Sequence, residues 1–341
     1  MDVAPSERTA NKQERFWRDN PPGLSVIVLT YNSASTIEAC LDSLVTQDFR
    51  DFEIIVVDDA STDETLSVVS RYSPRLRLSI VPNGSHNIPR GRNIGLNFSS
   101  SDLVAFLDSD DSATHDWARV IVKTFGERPE LALIAGDLIP AYRTRTSQAI
   151  GLNDATVRQL TAKGVMQFSA GNCAINQRVL PGGVFDEEFQ AAEDLELVSR
   201  VQRQFACSYI PEMKVYHRSR ESFSQYAKQM YRYGFMKLYF GFCERSYRWI
   251  DFVPLFLMVL SVLASVAIGP WWIVLAIIPF SLIEALFVVA YHPCEPSIAM
   301  LIFPAWITKN IAWSVGVGHG ILSLATNPET RRRLRAKRAG I

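Results

Sequence analysis

Short apolar runs alternate with segments of helical periodicity from residue 25 to about residue 136. The runs at 25–30, 53–57, 76–81 and 103–107 are mostly apolar and include many β-branched residues. Such runs are typical of strands that are buried on both faces of a sheet. Strands that alternate with helices at this spacing indicate βαβ units. The pattern predicts an α/β fold with a mainly parallel sheet.

Helix starts are predicted at two capping-box pairs, Ser35 with Glu38 and Ser61 with Glu64. The periodicity then weakens over 143–163, where loops and short helices are expected. An amphipathic helix is predicted to begin at Glu193-Asp194.

The C-terminal third is far more apolar. Residues 252–268 carry no charge, Gly269-Pro270 interrupts, and residues 271–291 contain one acid, Glu284. Each stretch is long enough, or nearly so, for a hydrocarbon core of about 30 Å. The pattern predicts a transmembrane hairpin, and the alternative is a buried helical pair of a soluble protein.

Segment 297–325 is also apolar but contains Pro304, Lys309 and His319. If it spanned the membrane, the basic tail would lie on the side opposite the basic stretch 214–248, against the positive-inside rule. We therefore expect an interfacial or re-entrant segment that Pro304 breaks. The chain is predicted to be a multi-pass protein of the cell membrane with its catalytic domain on the cytoplasmic side.

Charge changes this picture only through its distribution, because 35 basic residues balance 35 acidic ones. Six basic residues fall within 331–338, after the apolar segments. A terminal basic run beside apolar helices favours anionic membrane lipids, and no nucleic acid partner is expected. The five cysteines are scattered, which favours reduced thiols. Residues 1–22 lack the apolar core of a signal peptide and are predicted to form a tail.

Polar residues follow the first, second and fourth predicted strands. Ligands of parallel sheets bind beyond the carboxyl ends of the strands. The first strand is not followed by GxGxxG, and GxxxxGK[ST] does not occur, so a dinucleotide-binding fold and a P-loop are disfavoured.

Asp108, Asp110 and Asp111 place three carboxylates in four positions. Their mutual repulsion is relieved if a divalent cation lies between them, and Mg²⁺ or Mn²⁺ prefers such oxygens. The alternative is a solvated acidic turn that caps the next helix.

Four motifs occur in order: VLTYN at 28–32, VVDDASTD at 56–63, RGRNIG at 90–95 and FLDSDD at 106–111. Together they resemble the donor-binding half of family 2 inverting glycosyltransferases, which have the GT-A fold. The resemblance covers residues 24–240 and implies a nucleotide-diphospho sugar donor.

The resemblance also implies roles for individual residues. Thr30 and Tyr31 would line the nucleotide pocket, and Asp59, with Asp58, would bind the base. Arg92 would lie near the nucleotide. Asp108 and Asp110 match the DxD motif, with Asp111 as a further metal ligand.

On the acceptor side, Asp194 of Glu193-Asp194 matches the family's general base. The alternative is an ordinary acidic helix start. His217 resembles a histidine near the diphosphate or metal, or it is structural. Arg232 lies in QMYRY at 229–233, where Tyr233 replaces the tryptophan of the QxxRW motif, so processive synthesis is disfavoured. Arg232 would contact the diphosphate; the alternative is that its helix rests on lipid head groups. Segments 169–173 and 181–186 resemble the lining of the acceptor site, and Gly171 would permit close backbone approach.

The predicted organisation is a tail (1–22), a GT-A domain (23–240), a membrane region (241–325) and a basic tail (326–341). The expected acceptor is a lipid-linked saccharide of an envelope polysaccharide. The alternatives are transfer to polyprenyl phosphate, nucleotidyl transfer, and a non-catalytic nucleotide-binding membrane protein.

Overall fold

A computed structural model describes residues 21–161, 169–180, 185–191, 193–244, 249–268 and 277–340. Residues 1–20 of the predicted N-terminal tail and the turn at Gly269-Pro270 lie outside these residues. The chain divides into two compact units. The first comprises the described residues within Met1–Ile139, Met166–Glu188 and Glu193–His217, and the second comprises the rest.

The first unit is built on an eight-stranded sheet with the order β3-β2-β1-β4-β7-β6-β8-β5. Its strands are β1 Leu24–Thr30, β2 Phe52–Asp58, β3 Leu78–Pro82, β4 Leu103–Asp108, β5 Ser112–Ala113, β6 Leu131–Ala141, β7 Asn172–Asn176 and β8 Ala206–Arg218. The strands predicted at 25–30, 53–57, 76–81 and 103–107 are β1 to β4.

The sheet has a parallel half and an antiparallel half. Strands β3, β2, β1 and β4 are parallel neighbours, whereas β7 pairs antiparallel with both β4 and β6. The α/β fold is confirmed. The sheet is mixed, and the prediction of a mainly parallel sheet arose because the sequence motifs identify only the parallel half.

Five helices of the first unit lie between the strands in chain order. They are α1 Ile37–Val45, α2 Thr65–Ser70, α3 Ile88–Phe98, α4 Trp117–Glu127 and α6 Glu193–Val201. Successive side chains of a strand point to opposite faces. Val26 and Val28 of β1 accordingly lie in one buried cluster, and Ile27 lies in another. The continuous apolar runs are therefore explained by cores on both faces of the sheet.

The two predicted capping boxes are wrong. Helix α1 begins after Thr36 and α2 after Glu64, in both cases without a side-chain cap. Ser61 instead donates a 2.6 Å hydrogen bond from Oγ to Asp58 Oδ1. The loop at the strand end uses the hydroxyl that the sequence pattern assigned to the helix.

The second unit is helical, and its helices are α5 Arg145–Thr161, α7 Phe223–Glu244, α8 Val253–Ile268, α9 Ile277–Tyr291, α10 Pro296–Thr326 and α11 Pro328–Gly340. A short 3₁₀ helix, Trp249–Phe252, precedes α8. The prediction of loops and short helices over 143–163 is wrong, because α5 is 17 residues long. Ala149 and Ile150 of α5 are fully buried, so tertiary packing outweighs its weak helical pattern.

Among the described residues, α10 alone is long and apolar enough to cross a membrane, judged by length and composition. Its 31 residues correspond to about 46 Å. Pro304 lies inside this helix, so the predicted break is wrong. Burial of Ile302, Ala305 and Trp306 offsets the cost of an internal proline, about 3 kcal/mol. The apolar parts of α8 and α9 are shorter, and the multi-pass arrangement stays a prediction.

Some polar side chains of the second unit are paired across its helices. Asn310 Nδ2 of α10 donates to Ser281 Oγ at 3.0 Å and to Glu284 Oε2 at 2.6 Å, both on α9. Tyr226 Oη of α7 donates to Asp154 Oδ1 of α5 at 3.0 Å. The single acid of the predicted hairpin, Glu284, is thus bonded within the helical unit.

Gly136→Ala is expected to destabilise the protein by about 2 kcal/mol. A Cβ at Gly136 of β6 would lie 2.0 Å from the Met213 carbonyl oxygen of β8, so the backbone of the sheet must move. Denaturant unfolding in detergent measures the change. Gly126→Ala on α4 is the matched control, because a Cβ there meets nothing within 4 Å. It should leave stability unchanged or raise it by up to about 1 kcal/mol. Equal stability of the two variants would contradict the expectation.

Candidate active site

The strand register brings the predicted donor-side residues to one edge of the sheet. Thr30 of β1 is paired with Asp58 of β2, and Leu29 is paired with Asp108 of β4. Carboxyl ends of parallel strands meet at one edge, so the loops after β1, β2 and β4 are neighbours there.

Three loops at this edge contain non-glycine residues with left-handed backbone. Asn32 follows β1 (φ 47°), Ala60 follows β2 (φ 61°) and His86 follows β3 (φ 49°). Residues other than glycine adopt this backbone conformation at a cost in free energy and tend to do so at ligand-binding sites. The Asn32 side chain stabilises this edge, because its Oδ1 accepts from Thr62 N at 2.8 Å.

The two aspartates after β2 have different surroundings. Asp58 is buried and accepts hydrogen bonds from the backbone and hydroxyl of Ser61. Asp59 accepts a 2.8 Å hydrogen bond from His86 N, and its other oxygen lies 3.4 Å from His86 Nδ1. Asp58 therefore shapes the loop, and Asp59 is the more available for a ligand.

His86 is a site residue that the sequence reasoning missed. Its ring meets Tyr31 edge to face, with centroids 5.1 Å apart, and Tyr31 is 51% exposed. Together with Asp59, these rings form an aromatic and acidic corner. The signal was available, because Asn83 to His86 follow β3 at the same sheet edge as the other polar clusters.

Arg92 connects the two predicted acidic clusters. It is 4% exposed on α3, and its guanidinium binds Asp108 Oδ1 at 3.2 Å and Glu193 Oε1 at 2.5 Å. Burial disfavours its charge, but Glu193 and Asp108 together raise the pKa of Arg92 above its usual value. A buried cation between two carboxylates brings β4 and the start of α6 together.

Gly171 makes room for this arrangement. A Cβ at Gly171 would lie 2.3 Å from Asp108 Oδ2, so any other residue would displace that carboxylate. The group that approaches Gly171 closely is Asp108, and its place in the lining of the acceptor site stays a prediction. Residues 181–184 of the other predicted acceptor segment lie outside the described residues.

Asp111 and His217 form a second buried pair. His217 Nδ1 lies 2.7 Å from Asp111 Oδ1, and Asp111 is 1% exposed. The pairing of β5 with β8, in which Ser112 lies opposite Tyr216, brings these residues together. Burial raises the pKa of Asp111 to about 7, although the hydrogen bond to His217 opposes this. Burial disfavours the charge of His217, but Asp111 raises its pKa to about 9.

The acidic turn fits a divalent cation in its chemistry but not as a preformed cage. Among the described residues, no group of three or more His, Cys, Asp or Glu side chains converges as metal ligands. Asp111 Oδ2 is nevertheless buried without a hydrogen-bond partner, and Asp110 lies next to it in the chain. Mg²⁺ needs only one or two carboxylates when substrate phosphates and water complete its shell.

Glu193 and Asp194 form the first turn of α6, where the helix dipole favours negative charge. Glu193 is engaged by Arg92, whereas Asp194 Oδ1 accepts a 2.8 Å hydrogen bond from the next backbone amide, Leu195 N. Burial and the adjacent charge of Glu193 raise the pKa of Asp194 to about 7. Asp194 therefore has the proton affinity that suits a general base.

Arg232 lies on α7 in the second unit and is exposed. Its predicted contact with the diphosphate stays a prediction.

Residues 25–181 match the sequence model of Glycosyl transferase family 2. The match covers somewhat less than half of the chain, and this segment is similar to a family 2 glycosyltransferase domain. That domain contains β1 to β4 and all four ordered motifs. Glu193, Asp194 and His217 follow the matched segment.

Two curated relatives match shorter segments of this chain. Poly(ribitol-phosphate) beta-N-acetylglucosaminyltransferase TarS of Staphylococcus aureus is 44% identical over 91 residues, which is 26% of this chain and 16% of TarS. A PGL/p-HBAD biosynthesis glycosyltransferase of Mycobacterium bovis is 35% identical over 121 residues, 35% of this chain and 47% of the relative. The chain thus spans less than half the length of either relative.

One solved structure matches nearly the whole chain. Mannosyltransferase PcManGT from Pyrobaculum calidifontis, in complex with GDP-Man and Mn²⁺, is 19% identical with a TM-score of 0.53. The match covers 92% of this chain and 94% of that one. This likeness shows the fold, and the predicted GT-A fold is confirmed.

Glu193→Gln is expected to destabilise the domain by about 3 kcal/mol, because it removes one counter-charge of the buried Arg92. Denaturant unfolding measures the loss. Glu130→Gln is the control, since Glu130 forms only an exposed 3.7 Å pair with Arg128. A loss no larger than that of the control would show that Arg92 does not depend on Glu193.

Proposed function

We propose that this protein transfers a sugar from a nucleotide-diphospho sugar to a membrane-held acceptor with inversion of the anomeric carbon. The observation that carries the proposal is Arg92, which bonds Asp108 of the donor-side turn and Glu193 beside Asp194. Donor-side and acceptor-side carboxylates thus belong to one cluster, as a single displacement requires.

The proposed nucleotide pocket lies at the ends of β1 and β2. Thr30 is buried and its hydroxyl has no hydrogen-bond partner among the described residues, so a ligand contact would satisfy it. The exposed ring of Tyr31 suits stacking on a nucleobase. Asp59 supplies an acceptor for a base N–H, and Asp58 orders the loop.

Asp110 and Asp111 are the proposed ligands of Mg²⁺ or Mn²⁺, with Asp108 and His217 supporting them. When bound, the cation would neutralise the charge that develops on the departing nucleoside diphosphate. The orphan oxygen of Asp111 supports this assignment, and the GDP-Man complex of PcManGT contains Mn²⁺. His217 holds the other oxygen of Asp111 and so fixes the orientation of the carboxylate.

Asp194 is the proposed general base. The acceptor hydroxyl loses its proton to the Asp194 carboxylate while its oxygen forms a bond to the anomeric carbon. The bond from that carbon to the diphosphate oxygen breaks on the opposite face, which inverts the configuration. Arg92 holds Glu193 and thereby the first turn of α6, from which Asp194 projects.

A lipid-linked saccharide of an envelope polysaccharide is the proposed acceptor. The chain carries the apolar helix α10, and exposed apolar side chains on α8 and α9 extend the apolar surface of the second unit. By their names, the relatives act on poly(ribitol-phosphate) and in PGL/p-HBAD biosynthesis. We place the protein in the cell membrane, with its catalytic unit on the cytoplasmic side.

Asp194→Asn should lower kcat by about 10²–10⁴-fold and leave donor binding intact, because an amide cannot accept the hydroxyl proton. A radiolabelled-donor assay with lipid-linked saccharides and polyprenyl phosphate as separate acceptors measures transfer. Glu196→Gln, on the same helix and paired with Arg200, is the control and should keep most activity. Near-normal turnover of Asp194→Asn would refute the assignment of the base. Nucleotide binding without any turnover by the wild-type protein would indicate a non-catalytic role.

Activity is expected to fall as the pH drops below about 7. The pKa of Asp194 is raised to about 7, and only the deprotonated carboxylate can act as base. Below this pKa, kcat/KM should decrease about tenfold per pH unit. The residual activity of Asp194→Asn should lack this dependence. A profile that is flat between pH 5 and 8, roughly two units below and one above that pKa, would exclude Asp194 as the titrating base.

Removal of divalent cations should abolish transfer and weaken nucleotide-diphosphate binding by at least about tenfold, and Mn²⁺ or Mg²⁺ should restore both. Calorimetry with the nucleoside diphosphate gives a readout that is independent of turnover. Asp111→Asn should require more cation for the same binding. Asp116→Asn, an exposed acid paired with Arg119, is the control. Unchanged nucleotide affinity in excess chelator would rule out the metal.

A further inference from the structure

The second unit contains a cavity of about 550 Å³ whose lining includes none of the candidate active-site residues. Helix α5 contributes Arg145, Gln148 and Leu152, which recur at helical spacing and share one face. Pro293, Cys294 and Glu295, from the segment between α9 and α10, and Ile298 of α10 complete the lining. The volume is within the range of sites for small ligands.

The lining combines polar groups with an apolar floor. Arg145 is an exposed cation, Gln148 offers both a donor and an acceptor, and Glu295 is an exposed acceptor. Leu152 and Ile298 belong to a buried cluster with Trp306 and Val288. A simple anion matches only Arg145, whereas a ligand with both phosphate and hydroxyl groups can use all three polar side chains.

The cavity is lined in part by the segment that connects two apolar helices, α9 and α10. Helix α9 ends at Tyr291, which is 60% exposed, and its Leu286 is 61% exposed. Met300, in the first turns of α10, is 77% exposed. Exposed apolar side chains next to a polar cavity mark an amphipathic surface, and aromatic residues such as Tyr291 favour the membrane interface.

We propose that this cavity binds the phosphorylated sugar head of a lipid-linked acceptor, with the lipid chain along the exposed apolar side chains of α9 and α10. The inference rests on the proposed function, because it names where that acceptor is held. Arg145 binds the phosphate, and Gln148 and Glu295 bind sugar hydroxyls. Leu152 and Ile298 contact the apolar face of the sugar.

Cys294 gives a direct test, because its thiol is half-buried in the cavity lining. Cys40, Cys173 and Cys243 are buried, so Cys207→Ser leaves Cys294 as the accessible thiol of the described residues. The rate of N-ethylmaleimide labelling of this variant is measured in detergent, without ligand and in the presence of one of three ligands. These are a polyprenyl-diphosphate sugar, dioleoylphosphatidylglycerol and a soluble sugar phosphate.

The polyprenyl-diphosphate sugar should slow labelling of Cys294 about tenfold at about ten times its Kd. Arg145→Ala in the same background should remove most of this protection. Arg143→Ala is the matched control, since Arg143 is exposed two residues earlier and does not line the cavity. Arg145→Ala should also raise KM for the lipid acceptor about tenfold and leave KM for the donor unchanged.

Several outcomes would overturn the inference. They are equal protection by phosphatidylglycerol, equal protection by the soluble sugar phosphate, absence of protection, and a Cys294 thiol that does not react in the free protein. Calorimetric titration of the same preparation with nucleoside diphosphate separates the two proposals. Donor binding without protection refutes this site alone, whereas failure of donor binding refutes the proposed function.

Discussion

The buried guanidinium of Arg92 is the interaction on which the first unit's chemistry depends. Desolvating an arginine costs several kcal/mol unless carboxylates compensate it. Asp108, at the end of β4, and Glu193, at the start of α6, provide that compensation. In return the cation relieves their repulsion, so segments separated by more than eighty residues meet at one point. Gly171 is required for the same reason, since a side chain there would collide with Asp108.

The pairs Asp111–His217 and Arg92–Glu193 give the acidic residues of this edge different surroundings. The His217 imidazole holds one oxygen of Asp111 and leaves the other without a protein partner. Arg92 engages Glu193, while the pKa of Asp194 is raised to about 7 by burial and by the adjacent charge. Chemically similar carboxylates therefore differ in their readiness to bind a cation, a counter-ion or a proton. Backbone strain at Asn32, Ala60 and His86 is concentrated at the same sheet edge.

The second unit solves a different physical problem, because it combines exposed apolar helices with paired polar side chains. Asn310, Ser281 and Glu284 satisfy one another, as polar groups away from water must. Exposed residues such as Phe256, Ile283 and Met300 remain uncovered within the described residues. Such a surface favours a lipid environment over water, and it gives the acceptor hypothesis its physical basis.

The sequence by itself determined the parallel half of the sheet and the ordered acidic motifs, because apolar period and strand-end polarity are local properties. The GT-A fold was implied by the resemblance of its four motifs to a known family. Only the tertiary structure decided which side chains these motif residues contact. It paired Arg92 with Glu193, Asp111 with His217 and Asp59 with His86, since such contacts depend on strand order and on β5 pairing with β8. It also overruled local signals. Serines at 35 and 61 do not cap helices, and Pro304 does not end α10, because long-range packing and hydrogen bonding outweigh propensities of about 1–3 kcal/mol.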